Sequence, residues 1–282
     1  MYLGIDFGST STKIVLMDDY KVIEKHRIFQ DKSYLDVLNN MDLSKVEKIM
    51  IAGAGASFVE GDICGIKTEK AEELKAVGLG GYFLSNLDEC MVVSLGTGTS
   101  FIYVNRDHSE HVGGCGIGGA LLIALAKTGL GIDDVNEFMK LACSGDINKA
   151  DLLIKDISKT DIDYLAGDVT VANMAKLDRN SAPSDYAFGA CNLVFQNVGV
   201  MSVLADRPYK TGKIVVMGSI GSSEVAGRCF DAVGSLFGYD FIVPEDALYG
   251  VAIGAILLGD ENYRKSFSVY GQPMDEADSI FE

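Results

Sequence analysis

The feature that most constrains the fold occurs twice. Residues 4–16 read GIDFGSTSTKIVL, and 88 positions further on the chain reads VVSLGTGTSFIYV. In each copy an apolar run enters a turn of Gly, Ser and Thr, and a second apolar run leaves it. Short apolar runs bounded by such turns read as buried strands joined in a hairpin. A supersecondary unit repeated at that distance implies two related halves. The chain is therefore expected to be α/β, with domains at residues 1–90 and 91–282.

The rest of the chain mixes strands and helices. YKVIEKHRIF reads as a third strand after the first hairpin, and KIMIAGAG as a strand running into glycines. In TEKAEELKAVGLGGYFLSNL, Leu74, Val77, Leu79 and Phe83 fall at helical spacing. ALLIALAKTGLG reads as a buried helix, AGDVTVANMAKL as helical, and PSDYAFGACNLVFQNVGVMSVLA as a long helix with Pro183 near its start. KIVVMGSIGSS is a strand into a glycine turn, and EDALYGVAIGAILLG a closing helix.

Charge limits the partners. The formal net charge is −16 over 282 residues. That argues against nucleic acid and against an anionic membrane surface, both of which need basic patches. It leaves an anionic nucleotide open, because backbone N–H groups and a metal ion can supply the attraction. No signal peptide is visible, and no uncharged apolar run long enough to cross a membrane is expected. The six cysteines, Cys64, Cys90, Cys115, Cys143, Cys191 and Cys229, lie far apart without a C-x-x-C. Reduced thiols in a cytoplasmic protein are the expectation.

A turn of Gly, Ser and Thr aims several N–H groups and hydroxyls at one point, which makes an anion cradle. Asp6 ends the first strand, where a carboxylate holds Mg²⁺ through water. Lys13 reaches a terminal phosphate as a compact point charge. The second turn, at Thr97 and Gly98, repeats the arrangement. GGCGIGG then leads into a helix, a favourable place for phosphate or ribose. VVMGSIGSS supplies a fourth glycine turn, suited to close approach of a flat ring.

The order hairpin, hairpin, glycine loop, glycine turn resembles the superfamily of actin, hexokinase, Hsp70 and acetate kinase. The resemblance implies two related ribonuclease-H-like domains with a nucleotide cleft between them. Within it, the chain resembles the type II pantothenate kinases through GIDFGSTSTKIV, EELKAVGLGGYFL, VSLGTGTSFIYV, VGGCGIGGALL, GDVTVANM, KIVVMGSIGSS and YGVAIGAILL. That implies ATP-dependent phosphorylation of the primary hydroxyl of pantothenate or a related alcohol, the first step of coenzyme A biosynthesis. In that family the catalytic base is a Glu early in a helix, followed by a small residue three positions on and Gly seven on. Glu73, Ala76 and Gly80 fit this spacing, and Glu72 is one residue off register.

The same resemblance implies the other roles. Asp6 positions Mg²⁺. Gly8, Ser9, Thr10, Ser11, Thr12 and Lys13 hold the phosphates of ATP, with Thr97 and Gly98 on the other side. Gly119, Ala120, Leu121, Leu122 and Ser219 border the nucleoside. His111, Gly113, Gly114 and Thr170 fall to the substrate. A homodimer is implied, with coenzyme A or its thioesters as regulators. His111 stands where the family has Arg, and imidazole cannot make a bidentate clamp. Either His111 acts in a weaker way, another cation such as Arg106 replaces it, or the substrate differs. Asp168 reads as a helix N-cap with the helix running on from Val169, or as a second base. Cys115 reads as a packed thiol.

GSTSTK also resembles the ATP-driven activases of 2-hydroxyacyl-CoA dehydratases. Those carry Asp-Ile-Gly-Gly-Gln-Asp where this chain has Ser94-Leu95-Gly96-Thr97-Gly98-Thr99. Their bridging iron–sulfur cluster would need two cysteines per subunit, with Cys115 and Cys143 the candidate pair. A non-catalytic nucleotide or coenzyme A sensor on the same fold is a third reading.

Overall fold

The computed structural model describes residues 1–29 and 32–266. The first part of the chain forms β1 (Tyr2–Phe7), β2 (Ser11–Asp18), β3 (Lys21–Phe29), α1 (Tyr34–Leu38), β4 (Lys48–Ala52), β5 (Thr68–Lys70) and α2 (Glu73–Ser85). The middle forms β6 (Glu89–Leu95), β7 (Thr99–Asn105), β8 (Ser109–Cys115), α3 (Gly119–Leu130), α4 (Val135–Ala142), α5 (Ile147–Ala150), β9 (Leu152–Leu153), α6 (Ile154–Ile157) and β10 (Thr170–Ala172). Then come α7 (Pro183–Asp206), β11 (Lys213–Met217), α8 (Glu224–Phe237), β12 (Asp240–Ile242), α9 (Gly250–Gly259) and α10 (Glu261–Ser266).

The sequence repeat is a repeat of topology. One five-stranded sheet runs β3-β2-β1-β4-β5, and the other, read in the same sense, β8-β7-β6-β11-β12. In each sheet three consecutive strands are followed by two that arrive through longer connections. β4 lies parallel to both β1 and β5, and β11 parallel to both β6 and β12. These are two related α/β sheets, as the paired turns lead one to expect.

Two compact units divide the chain. The first holds Met1–Cys90, Ile102–His111 and the described part of Leu248–Glu282, and the second Met91–Phe101 and Val112–Ala247. A single division at residue 90 therefore does not describe the packing: α9, read with the second half, packs on α2, β1 and β4. Its glycines explain why. A Cβ at Gly254 would stand 1.8 Å from the Ala76 carbonyl oxygen, and one at Gly80 2.0 Å from that of Gly250. The two helices thus meet backbone to backbone.

The first sheet is covered on both faces. Leu3, Ile5, Phe7, Ile14, Leu16 and Ile28 belong to one buried cluster. Val15 and Met17 belong to another with Leu79, Ala252, Ile253, Ile256 and Leu257. Alternation along the strands sorts the side chains between these faces. That is why β1 reads as an almost unbroken apolar run, with Asp6 the exception.

Five expectations change. Thr68–Lys70 is strand β5, so the helix begins only at Glu73. Gly113 and Gly114 lie in strand β8 with His111 rather than in a glycine loop. In α3 only Gly119, Leu122 and Ala126 are buried, so it is a half-exposed helix. AGDVTVANMAKL is a turn, the short strand β10 and further turns, and Asp168 caps no helix. Its Val-Thr-Val run favours extended backbone, and the buried Asp151 carboxylate ties Thr170 and Met174 down. α7 does have the length and apolar content of a membrane span, contrary to the sequence expectation, but 67% of that stretch is buried inside the protein.

Candidate functional site

In the first unit the site is built on one face of the sheet. Asp6 of β1 pairs in register with Lys13 of β2, and Lys13 with Arg27 of β3. Side chains at directly opposite positions share a face, so these three charges form a row. Lys13 Nζ donates to Asp6 Oδ2 over 3.0 Å, and both side chains are nearly buried. Burial pushes the Asp6 carboxyl above its ordinary range, while the Lys13 charge and hydrogen bond pull it back.

Two glycines leave room for this pair. A Cβ at Gly8 would stand 2.7 Å from Lys13 Nζ, and one at Gly53 2.6 Å from Asp6 Oδ1. Gly53 also has φ of +87°, which a side chain rarely adopts.

Glu73 opens α2, and its carboxyl lies within electrostatic range of both Asp6 and Lys13. The residue is solvent-exposed as a whole, yet its carboxyl is partly withdrawn from water. That desolvation raises its proton affinity first, the negative charge of Asp6 raises it further, and Lys13 opposes both. Glu72, the helix N-cap, turns instead to Lys75 at 2.8 Å. The structure thus separates the two glutamates: Glu73 couples to the Asp6–Lys13 pair, and Glu72 makes a surface ion pair.

The remaining residues of the first turn divide in two. Ser9 and Thr10 are exposed at its tip. Ser11 is fully buried, and its hydroxyl accepts from Arg27 Nε at 3.3 Å, so it faces the sheet rather than the turn's mouth. Thr12 pairs with Phe7 and Ile28 within the strands. His111 is exposed on β8, and Arg106 sits close enough to Tyr82 for its charge to act on that phenol.

In the second unit the three glycine stretches come together. The Gly119 N–H donates to the Gly96 carbonyl at 2.8 Å, and the Ala120 N–H to that of Thr97 at 3.0 Å. The turn therefore satisfies the first N–H groups of α3, which are engaged in protein hydrogen bonds and not turned to a ligand. Leu122 N–H is likewise engaged, with Gly118. A Cβ at Gly118 would fall 2.8 Å from Gly98 Cα, one at Gly98 2.8 Å from the Cys115 oxygen, and one at Gly114 2.7 Å from the Thr99 oxygen. Close backbone packing thus accounts for much of GGCGIGG. Gly218, at φ +108°, approaches the Leu95 carbonyl at the end of β6, and Ser219 follows it half-buried. Ala120 is exposed and Leu121 half-buried on α3.

Thr170 is placed differently from the sequence expectation. Its hydroxyl donates to Asp151 Oδ2 at 3.1 Å, which also accepts from Asn192 Nδ2 at 2.8 Å and Asn173 Nδ2 at 3.2 Å. Met174 N–H reaches Asp151 Oδ1 at 2.7 Å. This is a buried polar network holding β10 to α7. Asp151 carried no motif signal in the sequence. Neither did Gly53 or Arg27, although Gly53 does lie in a strand-to-glycine run like those of the other turns.

The sheets and their paired turns define a two-domain α/β fold shared with sugar kinases and dehydratase activators. An activator of 2-hydroxyisocaproyl-CoA dehydratase from Clostridium difficile, solved with bound ADPNP, superposes with a TM-score of 0.67 at 17% identity, covering 94% of this chain and 96% of that one. A ROK family glucokinase from Streptomyces griseus, in complex with glucose and AMPPNP, gives 0.56 at 12% identity, covering 90% and 97%. Within that fold the chain belongs to the Fumble family, whose profile matches residues 85–226, half of its length. The type II pantothenate kinase of Staphylococcus aureus (strain MRSA252) is 28% identical over 269 residues, spanning 92% of this chain and all of that protein. The Staphylococcus epidermidis enzyme of the same name (strain ATCC 12228 / FDA PCI 1200) is 27% identical over the same span.

Proposed function

We propose that the protein is an ATP-dependent kinase that phosphorylates the primary hydroxyl of pantothenate, with Glu73 as general base. Relatives matched from end to end carry that activity in their names. The observation that carries the mechanism is the coupling of the Glu73 carboxyl to the Asp6–Lys13 pair beside the Gly8 turn.

Phosphoryl transfer asks the protein for position, charge neutralisation and a place for one proton. The acceptor hydroxyl oxygen bonds to the γ-phosphorus as the bond from that phosphorus to the bridging oxygen breaks, and ADP leaves. Glu73, ionised, takes the hydroxyl proton. Its raised proton affinity, from desolvation first and the Asp6 charge second, suits it to that step. Gly8, Ser9 and Thr10 offer turn N–H groups and hydroxyls to the phosphates, and the Thr97–Gly98 turn of the second unit has the same make-up.

Asp6 is the residue that would hold Mg²⁺, and it fits an outer role. Oδ2 already accepts from Lys13 and Oδ1 lies against Gly53, so a water-mediated contact suits it better than direct ligation. Mg²⁺ brought with ATP would neutralise phosphate charge. Among the described residues no cluster of three His, Cys, Asp or Glu is grouped to hold a metal by itself. A homodimer in the cytoplasm, responsive to coenzyme A thioesters, belongs to the same proposal.

The test is ATP-dependent phosphorylation across pantothenate, pantetheine and N-substituted pantothenamides, repeated with His111→Arg. Turnover of pantothenate supports the reading, and a changed preference in the variant says what His111 reads. No turnover with any of these alcohols sinks it. The fold likeness to dehydratase activators supports a second reading, with Cys115 and Cys143 as cluster ligands. Anaerobically purified protein absorbing near about 400 nm would favour that reading.

A further inference from the structure

The row of charges on the first sheet has a third member that the kinase reading does not use. Arg27 of β3 lies directly opposite Lys13 of β2, as Lys13 lies opposite Asp6 of β1. Neighbouring strands stand about 4.8 Å apart, so Arg27 is one strand beyond the ion pair and on the same face. Its side chain runs back along the sheet toward the Gly8–Thr10 turn. Nε donates to Ser11 Oγ at 3.3 Å, at the residue where β2 leaves that turn. The guanidinium carbon lies 4.7 Å from the centre of the Phe29 ring.

These two contacts fix a long side chain that would otherwise cost entropy to hold. The cation–π contact places the guanidinium over the Phe29 ring, and the Nε bond ties it to Ser11. A guanidinium held at Nε presents its two terminal nitrogens as a fork, the geometry that matches two phosphate oxygens. Lys25, the next residue on that face, points elsewhere, its ammonium 5.7 Å from the centre of the Tyr249 ring.

Charge gives the reason for a second cation. Asp6 and Glu73 bring two negative charges to this face, and Lys13, which already donates to Asp6, brings one positive. A polyphosphate entering there would meet a net negative surface on a chain that is itself strongly acidic. Arg27 balances that count.

We propose that Arg27 is a phosphate-binding residue of this chain, holding the outer phosphates of the bound nucleoside triphosphate beside Lys13. The assignment rests on the kinase reading above. The alternative is that Arg27 only braces Ser11 and Phe29.

Arg27→Met and Arg27→Lys separate the two. Calorimetric affinities are measured for the Mg²⁺ complexes of a non-hydrolysable ATP analogue and of ADP, and for AMP, with the melting temperature taken in the absence of nucleotide. The expected result is a loss of about tenfold or more for the triphosphate analogue in Arg27→Met, the scale of a hydrogen bond to a charged group. ADP should lose less, AMP should be unaffected, and Arg27→Lys, which keeps the charge and loses the fork, should fall between. Unchanged affinity for the analogue would overturn the assignment. So would an equal loss for all three nucleotides together with a lower melting temperature, which marks a brace. Should Arg27→Met fail to fold, Arg27→Lys decides alone, by whether its loss grows with the number of phosphates. Wild-type protein that binds no triphosphate overturns both readings. Wild-type protein that phosphorylates pantothenate, with variants matching its ATP affinity, overturns the Arg27 assignment alone.

Discussion

Lys13 and Asp6 face each other at directly paired positions of two strands, 3.0 Å apart, with side chains only 12% and 9% exposed. Breaking a pair this buried costs more than the pair is worth, because the survivor keeps its charge without a partner. Lys13→Met should therefore destabilise the protein by about 3 kcal/mol in urea melts. The double variant Asp6→Asn with Lys13→Met should recover much of that loss. A double variant no more stable than the single one would show that the lysine stem, and not the unpaired carboxylate, sets the cost. ATP binding should be lost in both.

Glu73 and Glu72 are adjacent in sequence and separate in role. Glu73→Gln keeps size and removes the proton acceptor, so kcat should fall by about 10²- to 10⁴-fold with the KM for ATP little changed. Glu72→Gln should leave the rate within about twofold, since a surface ion pair such as Glu72 with Lys75 contributes little. If the two variants behaved alike, the base would have to be sought elsewhere.

The acid limb of the rate profile tests the same geometry. Glu73 protonates above its ordinary value of 4.5 because of desolvation and Asp6. As pH falls, activity should therefore fail earlier than for a free carboxylate. Asp6→Asn removes an upward push, so the Glu73 titration, followed by NMR of its carboxyl, should move to lower pH. Lys13→Met removes a downward pull and should move it up. The stability linkage has the opposite sense to a salt-bridged acid. A raised folded value gives a contribution that is full below 4.5 and is lost as pH rises through the folded value. Glu73→Gln should thus cost no melting temperature at neutral pH.

Thr170 separates a structural from a substrate role. Its hydroxyl is one of several donors to Asp151. Thr170→Val should lower stability by about 1 kcal/mol and leave the KM for pantothenate unchanged. Asp151→Ala strips the acceptor from the Asn173 and Asn192 amides and should cost about 3 kcal/mol. A large KM effect in Thr170→Val without a stability effect would return Thr170 to the substrate.

Much of this was legible in the sequence because it rests on local pattern. The paired turns at Gly8 and Gly96 announced two sheets of one topology, and Asp6 stood out as the polar residue in an apolar strand. Glu73 was reached through spacing and resemblance, and the structure adds what distinguishes it from Glu72. Long-range packing was what the sequence did not show. No local signal says that residues 248–266 return to the first unit, that β10 is pulled out of a helical pattern by Asp151, or that Arg27 shares a face with Lys13. The glycines of GGCGIGG read as open to a ligand, whereas Gly114 and Gly118 serve close backbone contacts with Thr99 and Gly98 within the second unit. Composition records that a glycine is needed and not what approaches it.

The spacing of a small residue three positions and a glycine seven positions beyond Glu73 has a physical reading of its own. Ala76 and Gly80 are both buried and form the face of α2 that meets α9. The Ala76 carbonyl oxygen stands 1.8 Å from where Gly254 would carry a Cβ, and the Gly250 oxygen 2.0 Å from that of Gly80. Backbone atoms cannot yield as a flexible side chain can. Gly80→Ala and Gly254→Ala should each destabilise by about 3 kcal/mol, the upper end for overpacking. Because α2 carries Glu73 at its first turn, either substitution should also lower kcat more than it raises the KM for ATP. Gly227 of α8 is the control: a Cβ there meets nothing within 4 Å. Gly227→Ala should stabilise by about 0.5–1 kcal/mol, through a less flexible unfolded chain, and leave kcat alone. Should Gly80→Ala melt like wild type, α2 and α9 would not be held at this separation, and the seven-residue spacing would need another cause.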